Sequence, residues 1–332
     1  MTTLPRSPLS FGLLLALASA CATQTSSAPA PIAGVARPEA PDILVLMPSS
    51  SVANQAFEGL RDELGEEYDL VPYVLGTDAD VTEVSAAVTE YAPVAVVAMN
   101  NPTLRVFRNY QRAGGTEVPV VALLASFLRQ SGSGIDRLHG VIYEVPLLTS
   151  LVNLRAVIEE PVEKIGVIYR PIFSSFLEEQ GALAAPEGFS LVTREVSGES
   201  PRELREAVEA LREEDGVDAI WVLNDNALLK RDMLVRGWLP GLQGNELPVI
   251  VNVRSLLSRQ VSFGTFAVLP DHHQLGVQAA QVLADLAANG WVGEGARLEY
   301  PVSVEKVLDA KFARQHLSLR EDQLETIDEM VE

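Results

Sequence analysis

The feature that most constrains the fold is a regular alternation of short apolar segments with amphipathic segments, which begins at Asp42. The first apolar run, DILVLMP, is short and ends at Pro, as expected of a strand that is buried on both faces. The segment 51–65 that follows places Ala53 and Leu60 on one stripe and ends at Gly65, which predicts an amphipathic helix. Repetition of this unit predicts a parallel sheet covered by helices on both faces.

The same alternation occurs twice along the chain. A first series of strands and helices runs up to the segment GVIYEVPLL at 140–148, and a second series of similar size continues to residue 271. Two successive units of this kind predict an α/β fold of two Rossmann-like lobes with parallel sheets and a cleft between the lobes. The polar segment 320–331 is predicted to form a final helix.

Composition limits the kinds of partner that the chain can take. About 290 residues follow position 41, enough for one large domain or two lobes, and 47% of the whole chain is hydrophobic. The formal net charge is -20. A surface of this sign repels phosphate backbones, which argues against nucleic acid as a partner.

The N-terminal segment, residues 1–20, has the features of a secretory signal peptide. Arg6 supplies a positive charge, the run LSFGLLLALASA is apolar, and Ala18 and Ala20 are the small residues that precede a cleavage site. Cleavage there leaves Cys21, the single cysteine of the chain, as the first mature residue. The arrangement resembles a bacterial lipobox and predicts lipidation of Cys21; plain signal-peptidase cleavage with an incidental cysteine is the alternative.

Residues 21–41 are predicted to be a flexible tether between a membrane and the folded part. They lack hydrophobic periodicity and are rich in Ala, Pro, Ser and Thr. One acyl chain gives only marginal attachment, so the predicted anchor on Cys21 carries several chains, palmitate among them. Ala22 rather than Asp follows the cysteine. This favours the outer over the inner membrane, on the periplasmic side of a bacterial cell envelope.

Polar side chains gather where the predicted strands end. Ligands of open parallel sheets bind outside the carboxyl ends of the strands, so these positions are candidate ligand contacts. N-capping of the following helix is the alternative at each strand end, because Ser, Asn and Asp are preferred N-caps. The candidates at strand ends are Ser49, Ser50, Asn100, Asn101, Tyr169, Arg170, Asn224, Asp225, Asn252 and Arg254.

The chemistry of these candidates suits a small polar or zwitterionic solute. Arg170 and Arg254 are able to hold an acidic group and Asp225 an amine, although both arginines have acidic alternatives as partners on this surface. Phe127 and Tyr143 are predicted to cover an apolar side of the solute.

The sequence lacks the motifs of catalytic or metal sites. It contains no G-x-S-x-G, HExxH, Walker or GxGxxG pattern. His272 and His273 are adjacent, which makes a poor metal pair, and solvated histidines at a helix start are expected there. Asp225 has no second catalytic group near it in the sequence. We therefore expect no enzyme activity, no cofactor and no metal.

Several motifs from Asp42 onward resemble the ABC-transporter substrate-binding family of type I periplasmic binding fold, the group that includes tryptophan- and tyrosine-type binding components. The motifs are AFEGLRDELG, LHGVIYEVP, VEKIGVIYRP, VDAIWVLNDN and DHHQLGVQAAQVL. The departures lie around the expected cleft and hinge: RLHG replaces Asn-Val-Thr-Gly, ASFLRQ replaces an Asp-Pro-Val segment, and Asp309 and His316 stand near the C-terminus. Because ligand identity is decided in these regions, the resemblance does not by itself carry over the amino-acid ligand of the better-known members.

The resemblance implies three crossings between the lobes. Lobe one would comprise 42–142 plus 273–300, and lobe two 143–272 plus 301–332. It also implies a solute-binding protein that captures a small-molecule ligand for the permease of an ABC importer, with the membrane reached through the lipid anchor only. An outer-membrane-associated accessory or sensory binding protein without a transporter is the alternative function, and an enzyme built on the same scaffold is a third.

Overall fold

The computed structural model describes residues 40–257, 263–292 and 295–332. The predicted signal peptide, Cys21 and nearly all of the predicted tether lie outside the described residues. From Ala40 onward the chain is one compact unit that contains two sheets.

The first sheet has six strands in the order β11-β5-β4-β3-β1-β2, all of them parallel. We call this sheet and the helices packed on it lobe one. Its strands are β1 (Asp42–Met47), β2 (Asp69–Val74), β3 (Ala95–Met99), β4 (Val120–Leu123), β5 (Leu138–Val141) and β11 (Leu298–Glu299). Its helices are α1 (Ser51–Leu64), α2 (Val81–Tyr91), α3 (Asn101–Arg112), the short α4 (Leu128–Ser131) and α10 (His272–Ala288).

The second sheet has seven strands in the order β13-β12-β10-β9-β8-β6-β7 and defines lobe two. All neighbours are parallel except β10 and β12. Its strands are β6 (Lys164–Tyr169), β7 (Ser190–Glu195), β8 (Ala219–Val222), β9 (Val249–Val251), β10 (Phe266–Pro270), β12 (Val304–Asp309) and β13 (Glu329–Val331). Its helices are α5 (Leu147–Val157), α6 (Ser174–Ala184), α7 (Pro201–Glu213), the short α8 (Arg231–Met233) and α9 (Leu239–Gly241), which flank a π-helical turn at Leu234–Trp238, and α11 (Ala310–His316). Short 3-10 segments cover Pro171–Phe173, Ala185–Glu187, Arg254–Leu257 and Glu321–Thr326.

Buried apolar strands hold each lobe together, as the sequence pattern predicts. In β1 the residues from Ile43 to Met47 are all buried, and β3, β4, β8 and β10 are buried along their whole length. One apolar cluster lies on each face of each sheet. This double burial explains why the strands read as continuous apolar runs rather than as alternating ones.

The chain passes between the two sheets three times within the described residues. The connections are β5 to α5, β10 to α10, and β11 to β12. Helix α10 packs on α1, in the core of lobe one, although β10 belongs to lobe two. The carboxyl ends of the strands of both lobes therefore face each other across the junction.

The prediction of a C-terminal helix at 320–331 is wrong. That segment forms the 3-10 turn Glu321–Thr326 followed by β13, which pairs with β12. After β8, helical structure begins only at Arg231. Ala227 donates its backbone N–H to Oδ1 of Asp225, so this stretch opens with a side-chain-stabilised turn.

Candidate functional site

A cavity of about 540 Å³ lies where the carboxyl ends of the strands of the two lobes meet. The first turn of α1 and the start of α10 line it from lobe one, and the segments after β8 and β9 line it from lobe two. The lining side chains include Ser51, Val52, Gln55, Tyr143, Asn224, Asn252, Val253, Arg254, Ser255, Leu269, His272 and Glu305. We call this the cleft cavity.

Four of the residues that the sequence singles out line this cavity: Tyr143, Asn224, Asn252 and Arg254. They come from both lobes, because Tyr143 follows β5 of lobe one and the other three follow β8 and β9 of lobe two. Sequence positions that are far apart are thus brought to one place by the parallel sheets.

Of these four residues, Asn252 has the hydrogen bonding that most clearly indicates a ligand contact. Its Nδ2 donates to the backbone oxygen of Val222 at 3.1 Å, which fixes the amide on the neighbouring strand. Its Oδ1 is buried and has no hydrogen-bond partner among the described residues. A buried acceptor without a partner carries a free-energy cost, which a solute donor is able to remove.

Tyr143 and His272 form a pair on the wall of the cleft cavity. The Tyr143 hydroxyl lies 3.1 Å from Nε2 of His272, and the two rings stack with their centroids 6.0 Å apart. Burial lowers the pKa of His272 below its ordinary value, which favours the neutral ring. His272 is half-buried against Tyr143 and is not the freely solvated histidine that the sequence suggests.

The arginine in the cleft cavity is already paired. Arg254 Nη1 lies 3.1 Å from Glu305, and Nη2 contacts the carboxylate of Glu329. For Arg254 the structure therefore shows the alternative given in the sequence analysis, in which the arginine pairs with acidic side chains of the protein rather than with a solute.

Arg170 is also paired, with Asp225. Nε donates to Oδ2 at 2.6 Å and Nη2 to Oδ1 at 2.7 Å, a bidentate arrangement. The Asp225 side chain is 1% exposed and that of Arg170 is 25% exposed. In this state neither charge is open to a solute, although the sequence offers Arg170 for an acid and Asp225 for an amine.

The remaining candidates are exposed, cap a helix or form hydrogen bonds within the protein. Ser50 accepts the Ala53 N–H and caps α1, and Asn100 accepts the Thr103 N–H and caps α3. The N-capping alternative thus describes both of these residues. The others lie near the junction but do not line the cleft cavity: Ser49 is exposed, Asn101 donates to the Ser126 backbone oxygen, and Tyr169 donates to Glu195.

A segment of lobe one, Ser126–Gln130, reaches across to lobe two. Asn224 Nδ2 donates to the Ser126 hydroxyl at 3.2 Å, and Gln130 Nε2 donates to the backbone oxygen of Ile172 at 3.0 Å. The Phe127 ring packs on Phe173, with centroids 4.4 Å apart, and on the core of lobe two. We call this segment the latch, because it joins the lobes beside the cleft cavity.

The latch was only partly visible in the sequence. Phe127 is predicted there to cover a solute, but in the structure its ring covers phenylalanines of lobe two. Its backbone has φ 52° and ψ 53°, the left-handed region that a bulky residue rarely adopts. No sequence pattern gives that conformation. The one indication of the latch in the sequence is the segment ASFLRQ, which replaces the Asp-Pro-Val segment of the substrate-binding family that the chain resembles.

Other residues of the cleft cavity were not identified from the sequence, because they do not lie directly at the carboxyl ends of the strands. Ser51, Val52 and Gln55 belong to the first turns of α1, and Glu305 belongs to β12. Helix residues that face a cleft carry no motif, although Ser51 adjoins the predicted Ser49 and Ser50.

Among the described residues, no three His, Cys, Asp or Glu side chains are grouped closely enough to hold a metal ion. In the same part of the chain, every helix is too short or too polar to cross a membrane.

No family model matches the chain, and no curated protein matches it by sequence. Solved structures do resemble it. A protein from Streptococcus pneumoniae, described as the ABC domain in complex with L-Trp, has a TM-score of 0.57 and 18% identity, covering 89% of this chain and 100% of that one. The ligand-free, open structure of CD0873 from Clostridium difficile, a substrate-binding protein with adhesive properties, has a TM-score of 0.63 and 12% identity, covering 88% and 99%. A conserved domain protein from Vibrio cholerae has a TM-score of 0.55 and 19% identity, covering 88% and 100%.

These neighbours, together with the two mostly parallel sheets, establish the type I periplasmic binding fold. The fold predicted from the sequence is thus confirmed, and the structures that resemble the chain include substrate-binding proteins of the kind that its motifs suggest. Identities below 20% extend the likeness to the fold and not to the ligand.

Proposed function

We propose that this protein is a lipid-anchored, extracytoplasmic solute-binding protein that captures a small polar molecule between its lobes and delivers it to an ABC importer. The observation that carries the proposal is the cleft cavity, which is lined by both lobes at the carboxyl ends of their strands. Lobes joined by three crossings are suited to closing around a solute by a hinge motion.

The polar groups of the cleft cavity indicate the character of the solute. Asn252 presents a buried acceptor that none of the described residues satisfies, and Asn224, Ser255 and Tyr143 add neutral donors and acceptors. Arg254, the arginine that the described part of the chain places on the wall, is engaged by two carboxylates. Recognition of the proposed solute therefore rests on neutral hydrogen bonds, with a hydroxyl or amide donor directed at Asn252.

The experiment that tests the proposal is a thermal-shift screen of the purified protein against small polar metabolites. A true solute at 100 times its dissociation constant stabilises the protein by about 2.7 kcal/mol. Asn252→Ala should weaken binding of that solute by about fivefold or more, the value of one hydrogen bond. Asn153→Ala is the control, since Asn153 lies on α5 and donates to the Thr149 backbone oxygen away from the cavity. Unchanged affinity in Asn252→Ala would move the site elsewhere.

The lipid anchor is tested separately. Cys21→Ser removes the only thiol of the chain and should move the protein from the membrane fraction to the soluble fraction of the envelope. Continued membrane association of this variant would contradict the anchor. Loss of solute uptake on deletion of the gene supports the importer, whereas normal uptake favours the accessory or sensory role.

A further inference from the structure

A second cavity, of about 120 Å³, lies at the junction of the lobes and is lined in part by the latch. Within the described residues the two cavities share no lining side chain. Both cavities adjoin the first crossing, because Tyr143 lines the cleft cavity and the adjacent Glu144 lines the second one. The side chains that matter below are Phe127, Leu128, Ile142, Glu144, Phe176 and Tyr300.

The wall of the second cavity is largely apolar and aromatic. The rings of Phe127 and Phe176 meet edge to face with centroids 5.3 Å apart, and Leu128 and Ile142 complete the wall. Its volume is similar to that of an apolar cavity of about 150 Å³ that takes up benzene in another protein. The space therefore suits a molecule with a body of one aromatic ring or a short branched chain.

Of the charged groups at this cavity, Glu144 is the buried one. Glu144 is 7% exposed, and its Oε1 accepts the Phe127 N–H at 2.8 Å. Its Oε2 is buried and has no hydrogen-bond partner among the described residues. A buried carboxylate without a second partner is costly when ionised, and burial raises its pKa to about 7.

The charged and titratable groups around Glu144 leave its charge uncompensated. Arg129 on α4 lies 3.7 Å from Glu179 on α6, so this cation is paired with another carboxylate. Tyr300, on the third crossing, donates its hydroxyl to Glu179 at 2.8 Å. Among the described residues, two carboxylates and one arginine thus line the cavity, and their excess charge is negative.

We propose that the second cavity binds a small apolar amine, with the ammonium group on Glu144 and the apolar body against Phe127 and Phe176. The ammonium group supplies the partner that Oε2 lacks, and it also lies within reach of ring faces that attract cations. The ligand would touch Phe127 of lobe one and Phe176 of lobe two at once, so its binding favours the closed arrangement of the lobes.

The test uses benzylamine as the probe, and benzyl alcohol as a neutral molecule of the same shape. Calorimetric titration of the purified protein should give an affinity for benzylamine about tenfold higher at pH 8 than at pH 6. The ionised fraction of a carboxyl group with a pKa of about 7 rises about tenfold across that interval. Benzyl alcohol should bind more weakly than benzylamine at pH 8.

Glu144→Gln keeps an oxygen for the Phe127 N–H but removes the charge. It should abolish both the pH dependence and the preference for benzylamine over benzyl alcohol. Glu160→Gln is the matched control: Glu160 accepts the Ser318 N–H and has a buried Oε2 that no described residue contacts by a hydrogen bond, but it does not line the cavity. This control should bind benzylamine as the wild type does.

A second variant keeps the test decisive if Glu144→Gln does not fold. Ser175 is exposed at the rim of the cavity, so Ser175→Phe should fold and block it. Failure of benzylamine to bind the wild type, or unchanged affinity in Ser175→Phe, overturns the proposal. Because Asn252 lines only the cleft cavity, either result leaves the proposed capture of a polar solute standing.

Discussion

At the scale of single residues, the pairing of Arg170 with Asp225 decides how the lobe junction is charged. The aspartate side chain is almost wholly buried and receives two arginine hydrogen bonds and the Ala227 N–H. The sequence places both charges at the carboxyl ends of predicted strands, but it does not show whether they meet each other or a ligand. In this structure they meet each other, which makes the pair a structural element of lobe two.

Arg170→Gln is therefore expected to reduce stability. It leaves the buried Asp225 carboxylate without its cationic partner, and the free energy of unfolding should fall by about 3 kcal/mol. Urea denaturation of the two proteins measures the change. Arg236→Gln is the control, since its pair with Asp232 is exposed and i,i+4, and its loss should change stability by less than about 0.5 kcal/mol. Equal stability of Arg170→Gln and wild type would contradict the structural role.

Glu144 gives stability a dependence on pH that can be isolated. The pKa of this carboxyl group has its ordinary value of 4.5 in the unfolded chain and is about 7 in the folded protein. Between these values the native state holds a proton that the unfolded state has lost, so stability falls as pH rises through this window. The predicted fall is about 3 kcal/mol from pH 5 to pH 8.

Glu144→Gln should remove this decrease in the free energy of unfolding, so that only the pH dependence due to the other titratable groups remains. Urea denaturation of both proteins at pH 5, 6, 7 and 8 makes the comparison. Parallel curves for the two proteins would show that the carboxyl group titrates normally.

At the scale of elements, local pattern determines most strands and helices but not those that depend on a distant partner. Strand β10 occupies the apolar run FAVLP, and Asp271 caps α10 directly before the histidine pair that the sequence places at a helix start. β13 forms because β12 offers it an edge, and nothing within its own three residues predicts that pairing. The same holds for the antiparallel pairing of β10 with β12, which interrupts the parallel sheet.

The close packing of α1 on α10 rests on glycines. A Cβ on Gly276 would lie 2.0 Å from the backbone oxygen of Ala56, which cannot move without shifting α1. Gly276→Ala should therefore lower the free energy of unfolding by about 2 kcal/mol or more. Thermal or urea denaturation measures it.

Gly181 on α6 is the matched control, because the nearest atom to its added Cβ is Leu191 Cδ1 at 3.5 Å. Gly181→Ala should be neutral or stabilising by up to about 1 kcal/mol, the helix preference of alanine over glycine. A Gly276→Ala protein as stable as Gly181→Ala would mean that the two helices have room to separate.

At the scale of the whole molecule, the sequence locates the cleft better than it describes what holds the lobes. Asn224, Asn252 and Arg254 reach the cleft cavity because parallel strands bring their ends to one edge, and that rule is readable from the pattern. The latch depends instead on the left-handed backbone of Phe127 and on the contact of its ring with Phe173. These two residues lie on opposite sides of the first crossing in the sequence, so no local pattern predicts their contact.

Phe127→Ala should consequently open the ligand-free protein. The substitution removes the ring that packs on the lobe-two core, which costs the closed arrangement about 2 kcal/mol, or about thirtyfold in the balance between closed and open lobes. Small-angle X-ray scattering should record a larger radius of gyration for the variant. Ile172→Ala is the control, since its side chain is 57% exposed and Gln130 bonds only to its backbone oxygen. Scattering curves of Phe127→Ala that superimpose on those of wild type would mean that the hydrogen bonds of Asn224 and Gln130 suffice to hold the lobes together.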